Sequence, residues 1–269
     1  VIPSEVGNLE LLAELGQWEI GINFLSRLRH LEVSHCELTV WPNQLSALLE
    51  LEYLDISHNA LFEIPSDVSE LQSLRTLLAQ GNGIAKLAHE IYALQRLEVL
   101  DLSHNEIKAL PEPPPSNLAT DPAERVMECL INLNLSHNQL TVLDDLLGIF
   151  AKLHTLDASH NQILCFNGEA IAKLTSLSVL DMSFNQLEMF PVGLRHCTAL
   201  TRLIATNNKL GFVPESLVHT TKLVHIDLSY NEINDAAGKI FAMLSHLKVL
   251  LLHHNLIGPL PSMLYTVRN

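Results

Sequence analysis

The chain has 269 residues, 48% of them hydrophobic, with 16 Lys plus Arg against 30 Asp plus Glu and a formal net charge of −14. That apolar content is ample for a large core, while the acidic balance argues against nucleic acid or an anionic membrane and mildly favours a partner with a basic surface. No apolar run reaches the roughly eighteen residues needed to span a bilayer, so no membrane insertion is expected.

Residues 1–27 form a degenerate N-terminal segment. Leu9, Leu12 and Leu15 keep a leucine spacing, but Gly16-Gln17-Trp18 breaks it, and an irregular turn or short helix is expected to cap the first strand. From Leu28 the pattern is regular. Its clearest copy is LEVLDLSHNEI, Leu97 to Ile107, which reads L-x-x-L-x-L-x-x-N-x-L. The slot of Asn105 is filled in turn by Cys36, Asn59, Asn82, Asn105, Asn138, Asn161, Asn185, Asn208, Asn231 and Asn255. The spacings are 23, 23, 23, 33, 23, 24, 23, 23 and 24 residues. Self-similarity at this period and in this frame is the leucine-rich-repeat signature.

The residue types have physical reasons. Each unit makes a short strand (Val99 to Asp101 here), so Leu100 and Leu102 point one way while Val99, Asp101 and Ser103 point the other. No unit covers its own leucine row, and only stacking on neighbours buries Leu97, Leu100, Leu102 and Ile107. Where the chain turns out of the strand, backbone groups lose their ladder partners inside a dry core. An amide side chain carries both donors and acceptors, so it satisfies the backbone of its own and the adjacent unit. The asparagines are therefore a structural ladder, not catalytic groups. Cys36 is the one departure.

After most of these slots comes a hydrophobic-Pro pair: Trp41-Pro42, Ile64-Pro65, Leu110-Pro111, Phe190-Pro191, Val213-Pro214 and Leu260-Pro261. Proline there fixes φ and donates no hydrogen bond, which suits an outer edge without a ladder. A short amphipathic segment follows, such as Ser66 to Leu71, expected to make one or two helical turns. Gly168 to Leu174 and Ala236 to Leu244, in the 24-residue units, are richer in helix formers. Residues 111–129 contain a Pro-rich insertion: Glu112 to Pro115 reads as polyproline, and Asp121-Pro122-Ala123-Glu124 as a helix start. The strand frame resumes at Leu130, so the insertion is expected on the outer side as a solvated loop.

With these tails the chain resembles the intracellular Ras-group class of leucine-rich repeats, of the kind found in Ras-binding scaffolds, polarity scaffolds and the repeat domain of fungal adenylyl cyclase. The resemblance implies an α/β leucine-rich-repeat solenoid. In that architecture a curved horseshoe carries one parallel sheet of about ten short strands on its concave face. Short helices, turns and extended segments line the convex face. It also implies a protein-binding module whose partner is often a small GTPase, kinase or phosphatase. Residues 1–269 are read as a single such domain, with ten repeats over 28–269. Ile2-Pro3 matches the tail of a preceding unit, and Tyr265 to Asn269 stops where an eleventh strand would begin, so both ends read as cut from a longer polypeptide.

Candidate chemistry lies on the inner face. Glu32, Asp55, Asp101, Asp157, Asp181 and Asp227 share one strand position, and His35, His58, His104, His137, His160 and His254 precede the ladder slot. Equivalent positions sit about 4.8 Å apart in a row, whereas zinc needs ligands converging tetrahedrally at roughly 2 Å. A solvated polar face is expected, with no metal, cofactor or catalysis. No phosphate loop or nucleophile elbow occurs. The better candidate is a partner-binding patch on free strand positions: Val179, Phe184, Ile204, Tyr230, Val249 and Leu251, with Arg202 and His225 among them. Tyr53 among N-terminal acids is a second, weaker one. The cysteines (Cys36, Cys129, Cys165, Cys197) fall in separate units with no clustered terminal pair, which favours a reducing, cytoplasmic setting. The sequon Asn134-Leu135-Ser136 falls in a strand and reads as chance. The expected function is a non-enzymatic interaction scaffold; the alternatives are a regulatory segment of a larger enzyme (kinase, cyclase or ubiquitin ligase) and an extracellular receptor ectodomain.

Overall fold

The computed structural model describes residues 25–112, 127–143, 145–234 and 238–258. The degenerate start up to residue 24, the polyproline and helix-start readings between 113 and 126, and the eleventh-strand position lie outside the described residues. The chain divides into two compact units, Val1–Gln139 and Leu140–Asn269.

Three-residue strands recur where the frame places them. In the first unit they are β1 (His30–Glu32), β2 (Tyr53–Asp55), β3 (Thr76–Leu78), β4 (Val99–Asp101) and β5 (Asn132–Asn134). All pair in parallel, and the register aligns Leu31, Leu54, Leu77, Leu100 and Leu133 in one buried row. The second unit repeats this with β6 (Thr155–Asp157), β7 (Val179–Asp181), β8 (Arg202–Ile204), β9 (His225–Asp227) and β10 (Val249–Leu251). Its row is Leu156, Leu180, Leu203 and Ile226, all buried, and the half-buried Leu250 at the end. Leu97, Leu102 and Ile107 are likewise fully buried. Each such side chain contributes roughly 1.5–3 kcal/mol by leaving water, and only the neighbouring repeat makes that possible.

The expected alternation fails at one position. Ser103, read as solvent-facing, is buried, as are Ser57, Ser136, Ser159, Ser183 and Ser229. The strand has ended by then, and a side-chain oxygen two residues earlier reaches forward to the serine amide: Asp101 Oδ1 accepts from Ser103 N at 2.9 Å. The same bond closes at Asp55, Asn134, Asp157, Asp181 and Asp227. These acids are turn-formers first, with one oxygen committed to the backbone.

The outer segments are short 3-10 turns, among them Ser66–Glu70, His89–Ala93, Val192–His196 and Glu215–His219. The helix formers of the two longer repeats give α-helices, α1 (Gly168–Ala172) and α2 (Gly238–Met243). Asn167 caps α1, its side chain accepting from the amides of Glu169 and Ala170. The turn after Pro191 packs on α1 backbone to backbone. A Cβ on Gly193 would lie 1.8 Å from the Gly168 carbonyl oxygen, so no other residue fits there. Past the insertion, Val99 and Asn132 are in register, so the extra residues leave the strands undisturbed.

The amide ladder ties these layers together. Asn208 Oδ1 accepts from Leu187 N at 3.0 Å, and its Nδ2 donates to the carbonyls of Met182 at 2.9 Å and Ala205 at 3.2 Å. Asn185 repeats this with Ile163, Ala158 and Met182. Asn59 accepts from both Cys36 N and Leu38 N and donates to Val33 O and Ile56 O. Asn82, Asn105, Asn138, Asn231 and Asn255 each join their own repeat to the preceding one in the same way. Asn161 Oδ1 takes the amide of Leu140, and its Nδ2 donates to Ala158 O. At Cys36 the thiol donates to Ser34 O at 3.3 Å. Asn208→Ala strands one buried amide and its carbonyl partners and is expected to lower the unfolding free energy by about 1–3 kcal/mol in urea titration. Asn208→Asp keeps the acceptor but loses the donors, and is expected to cost at least as much.

Candidate functional site

The sequence-predicted patch falls on three parallel rows of the second unit. Val179, Arg202, His225 and Val249 are direct neighbours along the first strand position. Ile204 and Leu251 share the third position with Asp181 and Asp227. Phe184 and Tyr230, read as strand residues, instead occupy the corner just past the strand. Val249, Phe184 and Tyr230 are 37%, 44% and 46% exposed. Tyr53 belongs to the first unit, where it stacks on His30 with ring centroids 4.1 Å apart. Burial, then Asp55 and Glu32, hold its hydroxyl above the usual tyrosine range.

The corner has a geometry that pattern reading did not anticipate. His35, His58, His104, His137, His160, Phe184, Asn207, Tyr230 and His254 all have φ between 52° and 56°, and Gly81 has φ 68°. Left-handed backbone costs a non-glycine residue on the order of 1 kcal/mol or more. Most corner amides continue the ladder, which helps to hold it: His58 N bonds Gln80 O, His104 N bonds Ser136 O, Phe184 N bonds Thr206 O and Tyr230 N bonds His253 O. The common φ projects the side chains side by side, so rings stack along the column. His35 lies on His58 at 4.5 Å, His104 on His137 at 4.0 Å, His160 on Phe184 at 4.1 Å and Tyr230 on His254 at 4.2 Å. A partial signal lay in Gly81 and Asn207, which alternate with histidines in this slot and belong to the types that adopt the conformation most readily.

Among the described residues, no group of three or more His, Cys, Asp or Glu is arranged to hold a metal ion. Asn134 has both ends engaged, its Nδ2 on Asp101 Oδ2 at 3.2 Å and its Oδ1 on Ser136 N. None of the four cysteines is in a disulfide; Cys165 is exposed, while burial pushes the Cys197 thiol up to about 12. A second apolar row went unread. Val142, Cys165, Met189 and Phe212, each four residues past the ladder asparagine, are exposed in four successive repeats. No described helix is long and apolar enough to cross a membrane.

Electrostatics sharpen the patch around Arg202. Burial raises the Asp181 carboxyl above the usual carboxylate range, against hydrogen bonds from Ser183, with Asp157 adding to the rise and Arg202 opposing it. His225 is held below its ordinary value of 6.5 by burial first and by the Arg202 charge second, partly offset by Asp227. The fold thus prefers neutral His225. Its contribution to stability is present above that ordinary value and is lost as the pH falls through the depressed folded value. Arg202→Gln is expected to move the His225 imidazole titration upward, read by proton NMR, without restoring the ordinary value, because burial is the larger cause. An unmoved midpoint would remove Arg202 as a cause.

Comparison with known proteins agrees with this architecture. Leucine rich repeat models match residues 128–187, 198–257, 50–71 and 96–118, together more than half of the chain. Adenylate cyclase of Schizosaccharomyces pombe is 37% identical over 138 residues, which cover 49% of this chain and 8% of the cyclase. Human lumican is 31% identical over 157 residues, covering 57% of this chain and 45% of lumican. The chain thus spans less than half the length of either relative. A leucine-rich-repeat protein of Leptospira interrogans superposes with a TM-score of 0.84 at 27% identity, over 93% of this chain and 61% of that one. The chain belongs to the leucine-rich-repeat family.

Proposed function

We propose that this chain is the partner-binding segment of an intracellular signalling scaffold and captures a protein on the strand face and corner of β7 to β10. A leucine-rich-repeat fold is a protein-interaction module; the particular face and the cellular setting are our reading. The observation that carries it is the pair Phe184 and Tyr230, two large rings about half exposed at the corners of strands paired with those that carry Arg202 and Val249 at their first position. Burying such rings in an interface is where most binding energy is gained, and Arg is enriched among the residues that carry it. The acids around them and the net charge of −14 favour a basic partner surface. The likeness to a fungal adenylate cyclase supports the Ras-group assignment, with a small GTPase or signalling enzyme as partner. That same likeness favours a second reading, in which the chain is the regulatory segment of a larger enzyme; the full-length reading frame separates the two.

Phe184→Ala/Tyr230→Ala is expected to lose partner capture in a quantitative pull-down while Met189→Ser/Phe212→Ser, on the other apolar row, retains it. The reverse pattern would overturn the assignment of the face.

A further inference from the structure

The ring column of the second unit is interrupted once. Its corner residues run His160, Phe184, Asn207, Tyr230, His254, all with the same left-handed backbone. Phe184 spends one face on His160 and Tyr230 spends one face on His254, both nearly coplanar, with interplanar angles of 11° and 8°. The remaining faces of the two rings look toward each other across the repeat of Asn207, whose side chain is short. Two strand spacings separate the flanking positions, roughly 9–10 Å. A flat group inserted midway would lie roughly 5 Å from each ring, within the reach of about 6 Å at which a cation is attracted by an aromatic face.

The polar surroundings select the kind of group. Asn207 Nδ2 donates to Thr206 Oγ1 at 3.2 Å, which leaves Oδ1 as the acceptor at the floor. Asp181 and Asp227 stand three residues before the two rings. Each commits Oδ1 to the serine two residues on, through backbone amide and hydroxyl, and keeps Oδ2 as an acceptor. Arg202 stands on the strand between those of Asp181 and Asp227, and its charge favours the ionised form of Asp181. The first unit offers a contrast. Its column is interrupted at Gly81, but the His58 imidazole overhangs that glycine, since a Cβ there would lie 2.5 Å from His58 Nδ1. That interruption is already filled by a ring.

We infer that the space over Asn207, walled by Phe184 and Tyr230, is a receptor slot for an arginine side chain of the protein partner. The planar guanidinium stacks between the two rings and donates to Asn207 Oδ1 and the aspartate oxygens, completing the column of five flat groups. Lysine is a poorer fit, because a compact ammonium cannot stack on two faces at once. This rests on the partner-binding reading of the same face, and it names the chemistry that the face recognises.

The test uses a capped peptide Gly-Gly-Arg-Gly-Gly beside its citrulline counterpart, which keeps the shape and loses the charge. Binding to the intact chain is followed by NMR on the ring protons of Phe184 and Tyr230. The arginine peptide is expected to shift both rings and to bind at least ten-fold tighter than the citrulline peptide. Asn207→Tyr fills the slot with a third ring on backbone that Tyr230 already tolerates, and is expected to abolish the shifts while the chain stays folded. Equal binding of the two peptides, or undiminished arginine binding by Asn207→Tyr, would overturn the slot. If the arginine peptide fails but Phe184→Ala/Tyr230→Ala still releases the partner, the face stands and only the arginine assignment falls. If those alanines leave partner capture intact, the face itself is wrong.

Discussion

The buried asparagine amide at the end of each strand is the constraint on which the rest depends. Leaving a strand into a dry core strands one donor and several acceptors per repeat, and leaving them unmet would cost about 1–3 kcal/mol each. Asn185, Asn208 and Asn231 meet that demand with one acceptor and two or more donations apiece, each joining its own repeat to the preceding one. The leucine rows supply most of the burial, but they tolerate any apolar residue of similar size. The amide fixes where one repeat sits on the next, and so sets the register of every side chain on the strand face.

That register produces the recognition surface. Because neighbouring strands align residue for residue, each variable position becomes a row, and neighbours in a row are far apart in sequence. Val179, Arg202, His225 and Val249 are 23 or 24 residues apart yet adjacent. The acids at the third position stabilise the turn and charge the face together, since only one carboxylate oxygen is consumed by the serine amide. Left-handed corners then present rings in a stack rather than a scatter, so a single small residue such as Asn207 opens a gap of defined shape.

Strands, buried leucines and the ladder were legible because they are periodic and because each has a chemical requirement that few residue types meet. The helices of the two longer repeats were legible from composition at Gly168–Ala172 and Gly238–Met243. The corner was not, for a physical reason: hydrogen bonds to the neighbouring repeat help to hold its φ, and residues as different as Phe184, Tyr230 and His58 accept it. Only Gly81 and Asn207, alternating with histidines in one slot, hinted at a left-handed position. The burial of Ser103 was misread because simple alternation was carried one residue past the end of the strand. The exposed row Val142, Cys165, Met189 and Phe212 shares one offset from the asparagine and was open to the same reading.

Native-state hydrogen exchange tests the ladder most directly. The amides of Leu187 and Leu210, which lie outside any strand and donate to Asn208 and Asn231 Oδ1, are expected to exchange as slowly as the strand amides of Leu203 and Ile226. Exchange of those two amides at the rate of an unprotected peptide, while the strands remain protected, would contradict the account that side-chain amides hold the repeats together.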